Sequence, residues 1–166
     1  MHVDEFNRLS ESEARASIDA CLGVDRWVGE VVSVRPYADI AALLDQARAS
    51  AENLADDELE SALSRHPRIG ESAAFDQQQE EAAYSTAEQS QVGSDDDASA
   101  ELAAANQRYE DRFGRLFIVR AAGRDSKEIL AELERRLGNS DDGERREVVS
   151  ELRQIALVRL EQVVQP

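Results

Sequence analysis

The sequence is poor in the residues that staple or interrupt a chain. Its 166 residues include one cysteine, three prolines and eight glycines. A lone thiol, Cys21, forms no internal disulfide and supplies no cysteine-based zinc site. Set among Ile18 and Leu22, it reads as a core residue. Lysine is nearly absent, since Lys127 is the only one among 19 basic residues. No apolar run approaches the ~20 residues that span a bilayer. Met1 to Asp4 lack the basic start and apolar stretch of a secretion signal, and Val164-Gln165-Pro166 is no peroxisomal address. A reducing cytoplasm is the expected compartment. Histidine is scarce too: His2 sits at a terminus expected to fray, which leaves His66. The acidic clusters at 56–58, 95–97 and 141–142 lack calcium-loop spacing and read as caps and solvated turns, so no metal site is expected. A Gly-rich phosphate loop is also missing.

What is abundant is negative charge, a formal −16 with 35 acidic residues. Such a surface repels phosphate backbones and anionic lipid, which excludes nucleic acid and membrane as partners. With 42% hydrophobic residues, the composition is that of a folded chain. The length suits one domain over residues 1–166, able to bury ~70% of its unfolded surface.

The long intervals between breakers carry helical spacing. Ser10 and Glu13 form a capping box for a helix that Gly23 closes. Asp25 to Val34 continues with Trp27, Val28, Val31 and Val32. Asp39 caps a helix through Ile40, Leu43, Leu44 and Ala47. Leu54 to Leu63, residues 76 to 91, and Ala98 to Phe113 follow. Asp125 and Glu128 make a second box before Ile129, Leu130, Leu133 and Leu137, and a last helix runs from about Glu144 to Val164. Leu116 to Val119 resembles a strand but has no partner, so it reads as extended chain or a helix start. The expected architecture is all-α, a single-domain bundle of about eight helices.

Three features do not fit a plain bundle. His66 stands in the stiff turn Arg65-His66-Pro67-Arg68-Ile69-Gly70, either as a surface or helix-capping residue or as a proton-transfer group near neutral pH. Ser85, Glu88 and Gln89 share one helical face, either as a solvated face and capping box or as a polar binding set. Arg159 interrupts the apolar stripe of Val148, Leu152, Ile155 and Val163. A guanidinium there either snorkels from the stripe's edge or meets a carboxylate or an anionic ligand.

With these residues laid out, the chain resembles the 2-oxo-4-hydroxy-4-carboxy-5-ureidoimidazoline (OHCU) decarboxylases of urate catabolism, along nearly its whole length. Phe6-Asn7-Arg8-Leu9 is similar to the family's F-N-x-L, and Trp27 with Arg35-Pro36-Tyr37 to its W…R-P-F, Tyr37 replacing the commoner Phe. His66-Pro67-Arg68-Ile69-Gly70 matches H-P-R-I-G, and Ser85 to Gln89 matches S-x-x-E-Q. Tyr109 to Gly114 resembles Y-E-x-R-F-G, with Phe117-Ile118-Val119-Arg120-Ala121 after it, and Ile155 with Val158-Arg159-Leu160 resembles I-x-x-L-R-L. Gln154 stands where the family often has Lys, and Ser90-Gln91-Val92 where it often has an Ala.

The resemblance implies an all-helical, commonly dimeric enzyme without a cofactor. Such an enzyme converts OHCU to (S)-allantoin and CO2. It implies His66, Glu88 and Arg159 as catalytic residues. Substrate contacts would fall on Pro67, Ser85, Glu88, Gln89, Arg159 and the segment Phe117, Ile118, Val119, Arg120 and Ala121. The rival readings are a helical interaction protein whose acidic surface binds a basic partner, and a cofactor-free hydrolase using His66 and Glu88. OHCU is an anion, so the −16 serves solubility rather than substrate attraction.

Overall fold

The computed structural model describes residues 1–69, 84 and 96–166. Eight helices occur among them: α1 (Val3–Arg8), α2 (Glu11–Leu22), α3 (Asp25–Ser33), α4 (Ile40–Ser50), α5 (Asp56–Ser64), α6 (Asp96–Phe113), α7 (Ser126–Arg136) and α8 (Asp141–Val163). The all-α expectation holds for these residues. Most of the expected helix at 76–91 lies outside them.

Local chemistry sets the helix ends. Ser10 accepts from Glu13 N–H while Glu13 returns to the Ser10 N–H, completing the first box, and Gly23 closes α2 at φ 73°. That left-handed conformation suits a residue without Cβ. Asp39 takes the Ala42 N–H at 2.8 Å, and Asp125 with Glu128 completes the second box. Helix α8 begins three residues before Glu144, because Ser140 caps it through Gly143 N–H at 3.2 Å.

The amino terminus corrects one expectation. It is tied down rather than frayed. The α-amino group donates to Val163 O at 2.7 Å, and His2 pairs with Gln165 as an isolated bridge. The His2 Nδ1 also caps α1 through the Asp4 N–H, a short helix absent from the sequence expectation. Paired backbone groups give the first residues a fixed place that composition alone does not signal.

The chain divides into two compact units, residues 1–62 with 152–166 and residues 63–151. In the first, α2 packs on α3 and α3 on α4, burying Phe6, Ile18, Cys21, Leu22, Trp27 and Leu43. Here the family-like motifs bond to one another. Asn7 Nδ2 donates to Tyr37 O and the Tyr37 N–H donates to Asn7 Oδ1, both at 2.8 Å. Arg35 Nη1 donates to the carbonyls of Phe6 and Leu9 at 2.8 and 3.0 Å. The added hydroxyl of Tyr37 donates to Val31 O, and burial raises its pKa to about 12. Glu58, read as part of a solvated acidic cluster, also takes Arg26 at 2.6 Å. That bond holds its pKa below the usual carboxylate value.

In the second unit, α6 packs on α7. Leu102, Ala105, Tyr109, Phe117, Val119, Ile129 and Leu133 form its core. Tyr109 meets Phe117 edge-on at 5.1 Å. Segment 117–121 is neither helix nor strand and places Phe117, Val119 and Ala121 in this core.

Candidate active site

Helix α5 ends at Ser64, and its last turn hands the chain to His66, whose N–H donates to Leu63 O at 3.0 Å. The imidazole is buried, only 8% exposed, so the surface reading of this residue fails. Two contacts from α6 hold the turn. Arg68 donates to Glu110 through Nε at 2.7 Å and Nη2 at 2.5 Å, a bidentate pair. Asn106, itself buried, donates to Ile69 O at 3.1 Å. Paired guanidinium–carboxylate bonds fix direction as well as distance. Glu110 and the H-P-R-I-G segment are thus two parts of one support, a role the sequence pattern gave no sign of. Gly114, at φ 64°, then turns the chain out of α6, its N–H on Glu110 O at 2.8 Å.

That turn leads into the second candidate element. Ile118, Val119 and Ala121 are 6%, 3% and 3% exposed. Ile118 O accepts from Arg136 Nη1 at 2.7 Å, and the Arg120 N–H donates to Glu151 at 2.7 Å. Among the described residues, the N–H groups of Phe117, Ile118, Val119 and Ala121 meet no acceptor. Leaving a buried donor unmatched costs about 1–3 kcal/mol, and most such donors in folded proteins find a partner. Four in five residues mark a row of donors suited to carbonyl or anionic oxygens.

A buried polar network backs this segment. Arg136 and Glu144 are both 0% exposed, joined through Nε at 2.8 Å and Nη2 at 2.5 Å. Tyr109 O–H and Asn139 also donate to Glu144. The Arg136 guanidinium lies 4.8 Å from the Phe117 ring centroid, within cation–π range. Burial and the Glu144 bond push the Tyr109 hydroxyl pKa well up. Arg136 was legible in principle. It continues the α7 stripe of Ile129 and Leu133 by steps of four and three, the same reasoning that singles out Arg159.

Pro67 lies in the His66 turn of the second unit, half-buried. Arg120 is exposed, and its backbone N–H is committed to Glu151. Arg159 belongs to the first unit, 1% exposed, with Nη1 3.3 Å from Ala20 O. It is buried rather than snorkelling. Ser85, Glu88 and Gln89 lie outside the described residues; Tyr84, beside them, is helical and half-buried. An open cavity of about 700 Å³ is lined by Arg68, Gln107, Glu110, Asp111, Arg115 and Leu116, and includes none of the candidate residues.

Among the described residues, an all-helical fold thus carries a buried histidine turn and a row of backbone donors without an acceptor. The family model for OHCU decarboxylase matches residues 7–161, and the chain belongs to that family. It is 26% identical over 167 residues to the "Uric acid degradation bifunctional protein" of Bacillus sp. (strain TB-90), covering 98% of this chain and 32% of that protein. It is 35% identical over 86 residues to the 2-oxo-4-hydroxy-4-carboxy-5-ureidoimidazoline decarboxylase of Amia calva, covering 50% of this chain and 49% of that one. The chain therefore spans a third to a half of these two curated relatives. A crystal structure of an OHCU decarboxylase in the presence of (S)-allantoin superposes with a TM-score of 0.71 at 23% identity, over 87% of this chain and 94% of that one. That likeness establishes the shared fold.

Proposed function

We propose that this chain decarboxylates OHCU to (S)-allantoin and CO2 without a cofactor. One observation carries the reading. The histidine of the family-like H-P-R-I-G turn is buried and braced by Arg68–Glu110 and Asn106, in the unit that also holds the open donors of 117–121.

Loss of CO2 leaves an electron pair on the ring carbon that carried the carboxylate. The conjugated carbonyl and imine groups of the substrate ring accept that pair, so the protein has three tasks: orient the ring, stabilise developing oxyanion charge and deliver one proton to one face. His66 transfers the proton, through the substrate's hydroxyl or carboxyl group. Backbone N–H groups of 118, 119 and 121 stabilise the negative charge. Glu88 and Gln89 take ring and ureido N–H groups, Ser85 a carbonyl or hydroxyl, and Arg159 an anionic or carbonyl oxygen. The enzyme acts as a homodimer in the cytoplasm. Among the described residues no helix is long and apolar enough to cross a membrane.

The test generates OHCU in situ from urate, adds the protein and follows absorbance together with circular dichroism. Protonation in free solution reaches both faces and gives racemic allantoin, so an optically active product identifies delivery by the protein. Faster decay with an excess of one enantiomer is expected. Unchanged decay to a racemate sinks the assignment and returns the interaction-protein and hydrolase readings.

A further inference from the structure

The segment 117–121 has no sheet neighbour to fix its peptide planes, yet two of them are pinned by side chains. Arg136 Nη1 holds the Ile118 carbonyl at 2.7 Å. Glu151 holds the Arg120 N–H at 2.7 Å. A trans peptide places its C=O and N–H on opposite edges of one plane, and the only cis bond among the described residues is Arg35–Pro36. Fixing Ile118 O therefore also fixes the Val119 N–H, which points away from Arg136. Fixing the Arg120 N–H likewise fixes the Val119 C=O, which points away from Glu151. Both planes flanking the Val119 Cα are set, and among the described residues neither Val119 group has a hydrogen-bond partner.

Arg136 is itself held. Glu144 takes its Nε and Nη2, and Asn139 and Tyr109 saturate Glu144. Phe117 covers the guanidinium face. The guanidinium fork serves both a carboxylate and a carbonyl from one rigid plane, which a lysine ammonium does not reproduce.

We propose that Arg136 and Glu151 are positioning residues, which orient the Val119 N–H and C=O as a ready-made donor and acceptor for an amide or urea edge of the substrate. The inference rests on reading 117–121 as a substrate-binding element. Neither side chain touches substrate. They act through the backbone, so that no peptide plane has to rotate when the ligand arrives.

The test pairs steady-state kinetics on OHCU with hydrogen exchange at the Arg120 amide, in Glu151→Ala, Glu151→Gln and Arg136→Lys. Glu151 is only partly buried, so its variants fold. In Glu151→Ala the Arg120 amide exchanges at least ~10-fold faster and KM rises at least ~5-fold, with an unchanged pH profile of kcat. The Gln variant keeps an acceptor oxygen and restores both values to within about threefold of wild type. Arg136→Lys lowers kcat/KM by ~10-fold or more; if it does not fold, the Glu151 pair decides. Wild-type exchange and KM in Glu151→Ala, or a Gln variant as impaired as Ala, overturns the proposal. If the wild-type protein does not turn over OHCU, the functional reading fails. The exchange measurement needs no substrate and still decides whether Glu151 holds the segment: faster exchange upholds that anchor, and unchanged exchange removes it.

Discussion

Two non-helical segments, 35–37 and 117–121, are built from the same kind of material and end up doing opposite things. Each follows a helix and carries a family-like motif. At 35–37 the backbone groups of Tyr37 close on Asn7, N–H and C=O alike, and the Arg35 side chain caps the carbonyls of Phe6 and Leu9. That segment joins parts of the first unit. At 117–121 the Ile118 and Ala121 carbonyls accept from Arg136 and from the Arg124 N–H, the Arg120 N–H donates to Glu151, and among the described residues the N–H groups of 117, 118, 119 and 121 meet no acceptor. A segment that completes its own bonds is scaffold. One that holds buried donors open retains a cost of about 1–3 kcal/mol for each, recoverable when a ligand binds. Motif resemblance alone does not distinguish the two segments; their hydrogen-bond patterns differ, and that difference supports the proposed binding role of 117–121.

The contrast breaks most readily at the residue proposed to transfer the proton. His66→Ala is expected to lower kcat at least ~100-fold, the lower bound for general acid–base help, with an unchanged far-ultraviolet circular dichroism spectrum. Wild-type kcat in that variant removes the imidazole from the mechanism. Arg159→Ala is expected to raise KM ~10-fold or more. Normal KM with a large fall in thermal midpoint instead makes this buried cation structural.

On the scaffold side the effects belong to stability. Asn7→Ala strands two buried backbone groups at Tyr37 and is expected to destabilise by about 1–3 kcal/mol, a fall of several degrees in thermal midpoint, while kcat stays put. A matching loss of kcat without destabilisation would erase the distinction between the segments. Tyr37→Phe removes one hydrogen bond, to Val31 O, and is expected to cost about 1 kcal/mol in chemical denaturation.

The smallest effect concerns acid. Glu58, Glu132 and Glu147 all have folded-state pKa values held below the usual carboxylate range by arginine hydrogen bonds. A depressed folded value means stability present above the unfolded value of about 4.3 and lost as pH falls through the lower folded values. The thermal midpoint should drop below about pH 4, with a shallower drop in Glu58→Gln. A midpoint that rises on acidification contradicts these pairings.

Local chemistry was the most legible part of the fold. Both capping boxes, the Asp39 cap and the Gly23 stop follow from residues within four positions of one another, and each occurs as expected. Segment 116–119, read as extended chain or a helix start, is neither helix nor strand, and the absence of a strand was legible because a lone apolar run has nothing to pair with. Long-range partners were not legible. Glu144 sits 35 residues from Tyr109, and nothing in either local pattern ties them. Arg159 was found because it interrupts an apolar stripe. Arg136 interrupts one in the same way and was missed, because two arginines in succession at 135 and 136 look like a solvated helix end. Arg135 is indeed exposed and pairs with Glu132 and Glu147, whereas Arg136 turns inward. At the candidate site, the sequence pointed to His66 but not to its burial, nor to Asn106 and Glu110 of α6 holding the neighbouring Ile69 and Arg68.

The most direct test of the contrast is a titration of the isotopically labelled protein with (S)-allantoin, followed at individual backbone amides. The account predicts saturable shifts at the N–H groups of Ile118, Val119 and Ala121, with the Tyr37 N–H unmoved. Saturable binding that leaves those three amides unchanged would contradict it.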